Sequence, residues 1–211
     1  MTSRGKSQLK KCRGIIVWDF DGVLFDIKAV RQENYTLFKK YGASDVALKN
    51  MRDRIRKSKM LFSVASALRV LKKSGIRIPV VKFRREFYRT LASQNRLYKD
   101  AEKILHGLKK LGFCHFILSF GSAPAQYKKI HLGCGRGFAR HFEKIMVTSG
   151  HKYPFLRALA ARHKGIPIFF IDDTKEHIEL VNEHVPAVKT IFYTNRQSLA
   201  GVKRVILKHA K

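Results

Sequence analysis

The sequence predicts an α/β protein, in which a parallel five-stranded sheet core is interrupted by an inserted all-α segment. The apolar run Ile15–Trp18 ends abruptly in Asp19, as expected for a strand covered on both faces. From residue 100 onward, helical and strand patterns alternate, which is typical of a parallel sheet with right-handed crossovers. Residues 28–98 instead repeat apolar side chains with a helical period.

The inserted segment is predicted to be a small helical bundle. Phe83, Phe87 and Leu91 recur at i, i+4 and i+8, which is the apolar stripe of an amphipathic helix. A second helix over 61–73 is predicted to end at Ser74-Gly75, and an earlier one at Gly42. The predicted organisation is therefore a basic arm over 1–13, a core over 14–27 and 99–211, and a helical cap over 28–98.

Each element of the core has its own signal. The first strand covers 14–20, and a helix over 100–111 has Gly112 as its stop. Four more apolar runs predict strands at 113–120, 143–149, 166–173 and 188–194. Helices are predicted at 155–164, 175–184 and 198–209. The alternation leaves five strands, each reached from the previous one through helical chain.

Charge and composition limit the function classes. The 211 residues include 44 Lys and Arg against 15 Asp and Glu, a formal net charge of +29, and residues 28–99 alone hold 20 basic and 4 acidic side chains. This excess is compatible with a phosphate-rich partner such as nucleic acid, and the alternative is a basic surface that keeps the protein soluble. No apolar run approaches the ~20 residues that span a bilayer. We expect no membrane association, a cytoplasmic location, and reduced thiols at the three cysteines.

Polar side chains follow the predicted strands at the points where they end. Asp19 and Asp21 follow the first strand, Ser119 ends the second, and Lys152 comes after the third; Asp172-Asp173 ends the fourth. In open parallel sheets, ligands bind beyond the carboxyl ends of the strands. Clustered carboxylates would repel one another without a cation, and Mg²⁺ prefers oxygen ligands together with a substrate phosphate. The pattern predicts a site for a phosphoryl group beside Mg²⁺, with a carboxylate as a possible nucleophile.

These motifs resemble those of the haloacid dehalogenase superfamily. The stretches WDFDGVLFD, ILSFGS, HKYPF and FFIDDTKEHI are similar to its first to fourth motifs, in that order. The resemblance covers residue 14 to about 195 and implies a Rossmann-like core. The helical insert is similar to the cap of the phosphoglycolate phosphatase-like subgroup.

The resemblance also implies roles for individual residues. Asp19 would be the nucleophile, and Asp21 the general acid that later activates water. Asp19, Asp172, Asp173 and the backbone carbonyl of Asp21 would hold Mg²⁺. Ser119 would hydrogen-bond the phosphoryl group, and Lys152 would neutralise the charge on Asp19. Members that cleave carbon–halogen bonds need neither the metal nor the second aspartate, so the resemblance implies phosphoryl transfer here. Ser119 in place of the commoner Thr, and His177 where many relatives have an acid, depart from the family pattern.

Substrate recognition is expected in the cap. Arg52, Arg56 and Lys59 share one face of a predicted helix at i, i+4 and i+7. Arg56 and Lys59 are therefore candidates to bind a substrate carboxylate or a second phosphate, against the alternative of a solvated basic face.

Three functions are compatible with the sequence. The first is a Mg²⁺-dependent phosphatase of a small phosphorylated metabolite. The second is a phosphatase of nucleotides or nucleic-acid ends, with the basic arm and cap bound to the backbone. The third is a basic nucleic-acid-binding protein that keeps a relict site. The sequence does not separate phosphatase from phosphomutase, and it leaves the oligomeric state unknown.

Overall fold

The computed structural model describes residues 12–58, 60–135, 137–194 and 197–210. Five parallel strands form one sheet in the order β3-β2-β1-β4-β5. The strands are β1 (Gly14–Trp18), β2 (Phe113–Phe120), β3 (Lys144–Thr148), β4 (Ile168–Asp172) and β5 (Val188–Phe192). The predicted α/β class and five-stranded parallel sheet are confirmed.

The helices fall where the apolar periodicity placed them, with one addition. The insert contains α1 (Ile27–Lys40), α2 (Asp45–Lys57), α3 (Val64–Lys73) and α4 (Val80–Ala92). The rest of the chain contains α5 (Ala101–Lys110), α6 (Ala123–Gly133), α7 (Tyr153–Arg162), α8 (Lys175–His184) and α9 (Leu199–His209). Helix α6 is the addition, because its apolar side chains form only a weak stripe that did not predict a helix.

The central strand β1 fixes the geometry of the sheet. Trp18 pairs with Ile117 of β2 on one side and with Ile171 of β4 on the other. All five residues of β1 are buried, as expected for a strand covered on both faces. The carboxyl ends of β1, β2 and β4 therefore lie at one edge of the sheet, and their amino ends lie at the opposite edge.

One buried polar pair ties the sheet to α5. Trp18 Nε1–H donates to His115 Nδ1 at 3.1 Å, so the ring hydrogen sits on His115 Nε2, 3.1 Å from the Leu105 carbonyl oxygen that accepts it. Burial lowers the pKa of His115 to about 3, because it disfavours the charged ring. His115 is therefore a neutral structural residue that satisfies the Trp18 donor within the core.

The chain divides into two compact units. One unit comprises the segment that ends at Phe25 together with Leu97–Phe120 and the segment that begins at Gly137; the other comprises Asp26–Arg96 and the segment from Gly121 through α6. The residues of α6 belong to the range 99–211 that was predicted to form the α/β core, but α6 packs on α4 of the helical unit. Residues 1–11 of the predicted arm lie outside the described residues.

The helical unit has an apolar core of its own. Phe38 and Phe83 stack at 4.6 Å between ring centroids, and Leu48, Met51 and Leu71 pack in the same cluster. Its basic side chains lie mostly outside that core, where they remain exposed. Apolar periodicity therefore predicted this unit well, because each of its helices buries a single stripe.

The prediction for two of the cysteines was wrong. Cys12 and Cys114 form a disulfide with a Cα–Cα distance of 5.8 Å. Ile15 pairs with Cys114 across the β1–β2 ladder, and this pairing brings residues 102 positions apart within bonding range. A disulfide is typical of oxidising compartments, so the cytoplasmic location stays a prediction. In the described ranges, no helix combines the length and apolar character needed to cross a membrane.

Candidate active site

The loop after β1 is held rigid by its own backbone and by apolar anchors. The Asp19 backbone N–H donates to the Ile171 carbonyl at 2.8 Å, and the Phe25 N–H donates to the Phe20 carbonyl at 3.0 Å. The rings of Phe20 and Phe25 stack at 4.7 Å between centroids, and both are fully buried. Asp19 and Asp21 are thus presented by a loop whose alternate apolar residues are fixed in the core.

Gly22 is required where this loop passes the end of β4. Its φ of +85° is a conformation that favours glycine, and a Cβ at this position would overlap the carboxylate of Asp173. Because glycine has no Cβ, the loop backbone approaches the Asp173 side chain more closely than any other residue at position 22 would allow. The glycine sets the position of Asp173 beside the Asp19–Asp21 turn.

Lys152 links the ends of two strands. Its Nζ lies 2.8 Å from Asp19 Oδ1 and 2.7 Å from Asp172 Oδ2. The lysine side chain is 1% exposed, and it immediately precedes the first turn of α7. One buried ammonium group is thus shared by two buried carboxylates that belong to neighbouring strands.

Asp172 has more hydrogen-bond donors than Asp19. His177 Nδ1 lies 2.9 Å from Asp172 Oδ2, and the Thr174 backbone N–H donates to Asp172 Oδ1 at 2.8 Å. Both Thr174 and His177 come from the start of α8, which follows β4 directly. These donors hold Asp172 in one orientation and stabilise its negative charge.

The pKa shifts follow from this unequal sharing. Burial raises the pKa of Asp19 to about 7, because the pull of Lys152 only partly offsets desolvation and the negative charge of Asp172. Burial also opposes ionisation of Asp172, but His177 and Lys152 hold its pKa below the ordinary value. Burial disfavours the Lys152 ammonium, yet the two carboxylates outweigh this and raise its pKa. Lys152 and Asp172 therefore form the charged pair, and Asp19 is the carboxyl group whose ionisation is disfavoured.

Three carboxylates converge closely enough to share a small cation. One oxygen from each of Asp19, Asp172 and Asp173 lies within 4.8 Å of the other two. The pKa of Asp173 is raised, first by burial and then by the charge of Asp172, which is the effect of crowded like charges. An all-oxygen donor set with surplus negative charge fits Mg²⁺. The donor set therefore fits the predicted metal.

Asp21 and Ser119 lie at the same edge of the sheet as this cluster. Ser119 is fully buried in β2, where it pairs with Val147 of β3. Asp21 is half-buried two residues beyond Asp19 and forms an isolated bridge to Phe25. The structure therefore gathers the predicted motif residues at the carboxyl ends of β1, β2 and β4.

Of the two candidate substrate-binding residues in the cap, the structure describes only Arg56. Arg56 lies in α2 with its side chain 82% exposed, 3.5 Å from Asp53 Oδ1. Lys59 lies outside the described residues. Substrate binding by Arg56 and Lys59 thus stays a prediction.

His177 is the site residue that sequence reasoning missed. The sequence analysis noted it only as a departure from an acidic residue. Its position five residues after Asp172, at the start of a predicted helix, was a signal that its ring could turn back to the strand end.

The chain is similar to proteins of one family, both by its sequence and by its fold. A family model described as haloacid dehalogenase-like hydrolase matches residues 14–181. No curated protein sequence matches the chain. Three of the similar solved structures illustrate the range of sequence identity and TM-score. A haloacid dehalogenase-like hydrolase from Burkholderia xenovorans is 18% identical, with a TM-score of 0.67 over 86% of this chain and 84% of that one.

Two further structures differ in what they bind. The hydrolase YfnB from Bacillus subtilis, solved bound to magnesium, is 16% identical, with a TM-score of 0.55 over 86% of this chain and 87% of that one. The L-2-haloacid dehalogenase from Xanthobacter autotrophicus, solved with chloropropionic acid covalently bound, is 15% identical, with a TM-score of 0.57 over 92% and 82%. At these identities the similarity establishes the fold alone.

Proposed function

The chain belongs to the haloacid dehalogenase-like hydrolases, and from that premise we propose that it is a Mg²⁺-dependent phosphatase of small phosphorylated metabolites. The observation that carries the proposal is the convergence of Asp19, Asp172 and Asp173 within 4.8 Å. A carbon–halogen hydrolase of this family needs no metal, so three converging carboxylates would only destabilise its site. A phosphatase uses the same carboxylates to hold a cation beside the phosphate.

The residues of the chain divide the reaction between them. An oxygen of Asp19 attacks phosphorus, and the bond from phosphorus to the leaving oxygen breaks while Asp21 donates a proton to that oxygen. The ionised Asp21 then takes a proton from water, whose oxygen attacks phosphorus. The phosphorus–oxygen bond to Asp19 breaks, which releases inorganic phosphate and restores both carboxyl groups.

Three further groups support these steps. Lys152 holds Asp19 Oδ1 at 2.8 Å and lowers the repulsion between the attacking carboxylate and an anionic substrate. Ser119 would donate a hydrogen bond to the phosphoryl group. Asp19, Asp172 and Asp173, together with the backbone carbonyl of Asp21, would hold Mg²⁺, which would supply positive charge to the phosphoryl oxygens and favour the ionised form of Asp19.

A nucleic-acid end is the second candidate substrate. Basic side chains on α2 and α4 are exposed, among them Arg52, Arg56, Arg84 and Arg89. Such a surface attracts a phosphate backbone. We rank it second, because the concentration of charge explains binding of a polymer but selects no particular reaction.

The test is phosphate release from an aryl phosphate, a panel of metabolite phosphomonoesters and a 5′-phosphorylated oligonucleotide. Each is measured with Mg²⁺ and with EDTA, using wild type and Asp19→Asn. We expect Mg²⁺-dependent release from small esters that Asp19→Asn loses by at least about a thousandfold, because the nucleophile is gone. Circular dichroism verifies that the variant is folded.

Two other results would replace the proposal. Release confined to the oligonucleotide, with a steep dependence on salt, would favour the second candidate. Chloride release from L-2-chloropropionate in EDTA, without phosphate release, would identify a dehalogenase.

A further inference from the structure

The opposite edge of the sheet contains a cavity that the proposed reaction does not use. It has a volume of about 630 Å³ and lies where the chain enters β1, β4 and β5. Its apolar wall includes Ile166, Pro167 and Ile168. Residue Ile168 begins β4, whose other end is Asp172, so about 13 Å of strand separates the cavity from the carboxylate cluster. The cavity is therefore a separate feature within the same α/β unit.

Basic side chains from four separate segments converge on this cavity. No aspartate or glutamate is found among its described lining residues. Volumes of 300–1,000 Å³ are usual for small-molecule sites, as are apolar walls with a few placed polar groups. The basic lining residues are Arg13, His163, Lys164, Lys189 and His209.

Among the described residues, no carboxylate neutralises the positive charge of the cavity. Over the residues for which the structure gives positions, none of Arg13, Lys164 and Lys189 forms an ion pair with a carboxylate. The preceding residues 1–12 contain no acid either, but add four Lys and Arg. Three like charges around one concavity repel each other, and a bound anion would relieve that repulsion.

Two of these side chains are oriented by local contacts. The Arg13 backbone N–H donates to the Gly112 carbonyl at 2.9 Å, and the guanidinium carbon of the Arg13 side chain lies 5.7 Å from the centre of the Phe113 ring. Lys189 Nζ donates to the His209 carbonyl at 2.8 Å. Arginine's fixed fork and lysine's point charge are the usual partners of phosphate oxygens.

We propose that this cavity binds a small molecule carrying two or more linked phosphate groups. The basic side chains take the phosphate oxygens, and the apolar wall takes an uncharged portion of the ligand. Single-strand nucleic acid is the less favoured occupant, because binding surfaces for it present aromatic side chains on which bases stack. Within the described lining of the cavity there is no phenylalanine, tyrosine or tryptophan.

The test is calorimetric titration of the full chain with inorganic tripolyphosphate in EDTA, which prevents Mg²⁺-dependent turnover. We expect one site per chain, with an affinity that falls at least tenfold in Lys164→Gln and in Arg13→Gln, because each removes a charge-assisted contact. Lys144→Gln is the matched control. Lys144 is an exposed lysine that begins β3 at the same edge of the sheet but outside the cavity lining. This control should bind as wild type does.

The proposal is independent of the proposed function, because binding is measured without turnover. Equal affinities in wild type, Lys164→Gln and Arg13→Gln would overturn it, as would the absence of a saturable site below about 1 mM. An affinity that rises with oligonucleotide length and is insensitive to tripolyphosphate would also overturn it, and would assign this edge to nucleic acid.

Discussion

At the carboxyl ends of β1 and β4, carboxylate oxygens of Asp19, Asp172 and Asp173 lie within 4.8 Å of one another, and the Lys152 ammonium pairs with Asp19 and Asp172. At the amino ends of the same two strands, basic side chains surround a cavity that has no carboxylate among its described lining residues. The first set is mostly buried and each group depends on its neighbours. The second set is mostly exposed, and each member keeps water as an alternative partner. A single change should therefore be costly at the carboxyl end and mild at the amino end.

The largest effect is expected from Lys152→Met. Removing the ammonium leaves Asp19 and Asp172 buried beside each other without a counter-charge. Breaking a buried ion pair typically costs about 3–5 kcal/mol of unfolding free energy, and turnover should fall at least about a thousandfold. Urea unfolding and phosphate release measure the two effects.

Lys175→Met provides the matched control for this change. Lys175 pairs with Glu179 at 3.2 Å, but its side chain is 78% exposed. Its loss should change stability by less than about 0.5 kcal/mol. Equal losses in the two variants would contradict the contrast between a buried and an exposed lysine.

Gly22→Ala should be the next most damaging change. Its positive φ strains any other residue by about 1 kcal/mol, and the new Cβ would displace the Asp173 carboxylate. We expect turnover to fall about a hundredfold and the Mg²⁺ requirement to rise, measured by Mg²⁺ titration of phosphate release.

Gly42→Ala tests the effect of backbone strain separately from displacement of the Asp173 carboxylate. Gly42 has a φ of +88°, but nothing lies within 4 Å of a Cβ built there. This variant should lose about 1 kcal/mol of stability and keep full activity. A similar loss of activity in both variants would mean that backbone strain, and not Asp173, explains the effect.

His177→Ala should weaken the site without abolishing it. The variant removes one donor from Asp172, and loss of such an outer partner typically costs 10–100-fold in metal affinity. We expect about tenfold more Mg²⁺ for half-maximal turnover, with partial rescue in His177→Asn, which keeps a donor. His184→Ala, at the last turn of α8, should not change the Mg²⁺ requirement.

The middle of the sheet, where His115 is buried, is a third region to compare with the two edges. The folded pKa of His115 is about 3, below the unfolded value of about 6.5. Between these values the unfolded chain binds the extra proton, so His115 lowers stability by about 1.4 kcal/mol for each unit that the pH falls below about 6. His115→Gln should reduce this acid dependence in urea unfolding from pH 6 to 4, and an unchanged acid dependence in that variant would contradict the assignment.

The smallest effects are expected at the amino end. Arg13→Gln and Lys164→Gln remove exposed charges and should change unfolding free energy by less than about 0.5 kcal/mol. Phosphate release should stay within twofold of wild type, because about 13 Å of strand separates them from the carboxylates. A larger loss of activity would show that the two ends of the sheet are coupled.

Much of the fold could be predicted because its signals are local. Strand β2 was predicted at 113–120 and α8 at 175–184, and both have those bounds in the structure. Continuous apolar runs and stripes of period 3.6 report which faces are buried, wherever the partner lies. Helix α6 was missed because its apolar residues mark no clear face.

The candidate site likewise contains residues that could be predicted from the sequence and residues that could not. Asp19, Asp21, Asp172 and Asp173 could be placed at one edge from the sequence, because parallel strands end together. For His177, the spacing from Asp172 indicated only that a contact was possible, because the contact itself depends on how α8 packs against β4. The disulfide between Cys12 and Cys114 was likewise hidden, since odd cysteines far apart in sequence carry no pairing signal.

The sequence by itself determined the α/β class, the helical insert and the carboxylates that end the strands, because burial periodicity and turn chemistry are properties of short segments. Only the tertiary structure decided that Lys152 reaches both Asp19 and Asp172, that α6 belongs with the helical unit, and that four segments line a basic cavity. Those features depend on which strands become neighbours. Neighbour choice is a competition among long-range contacts, and no local pattern of side chains records its outcome.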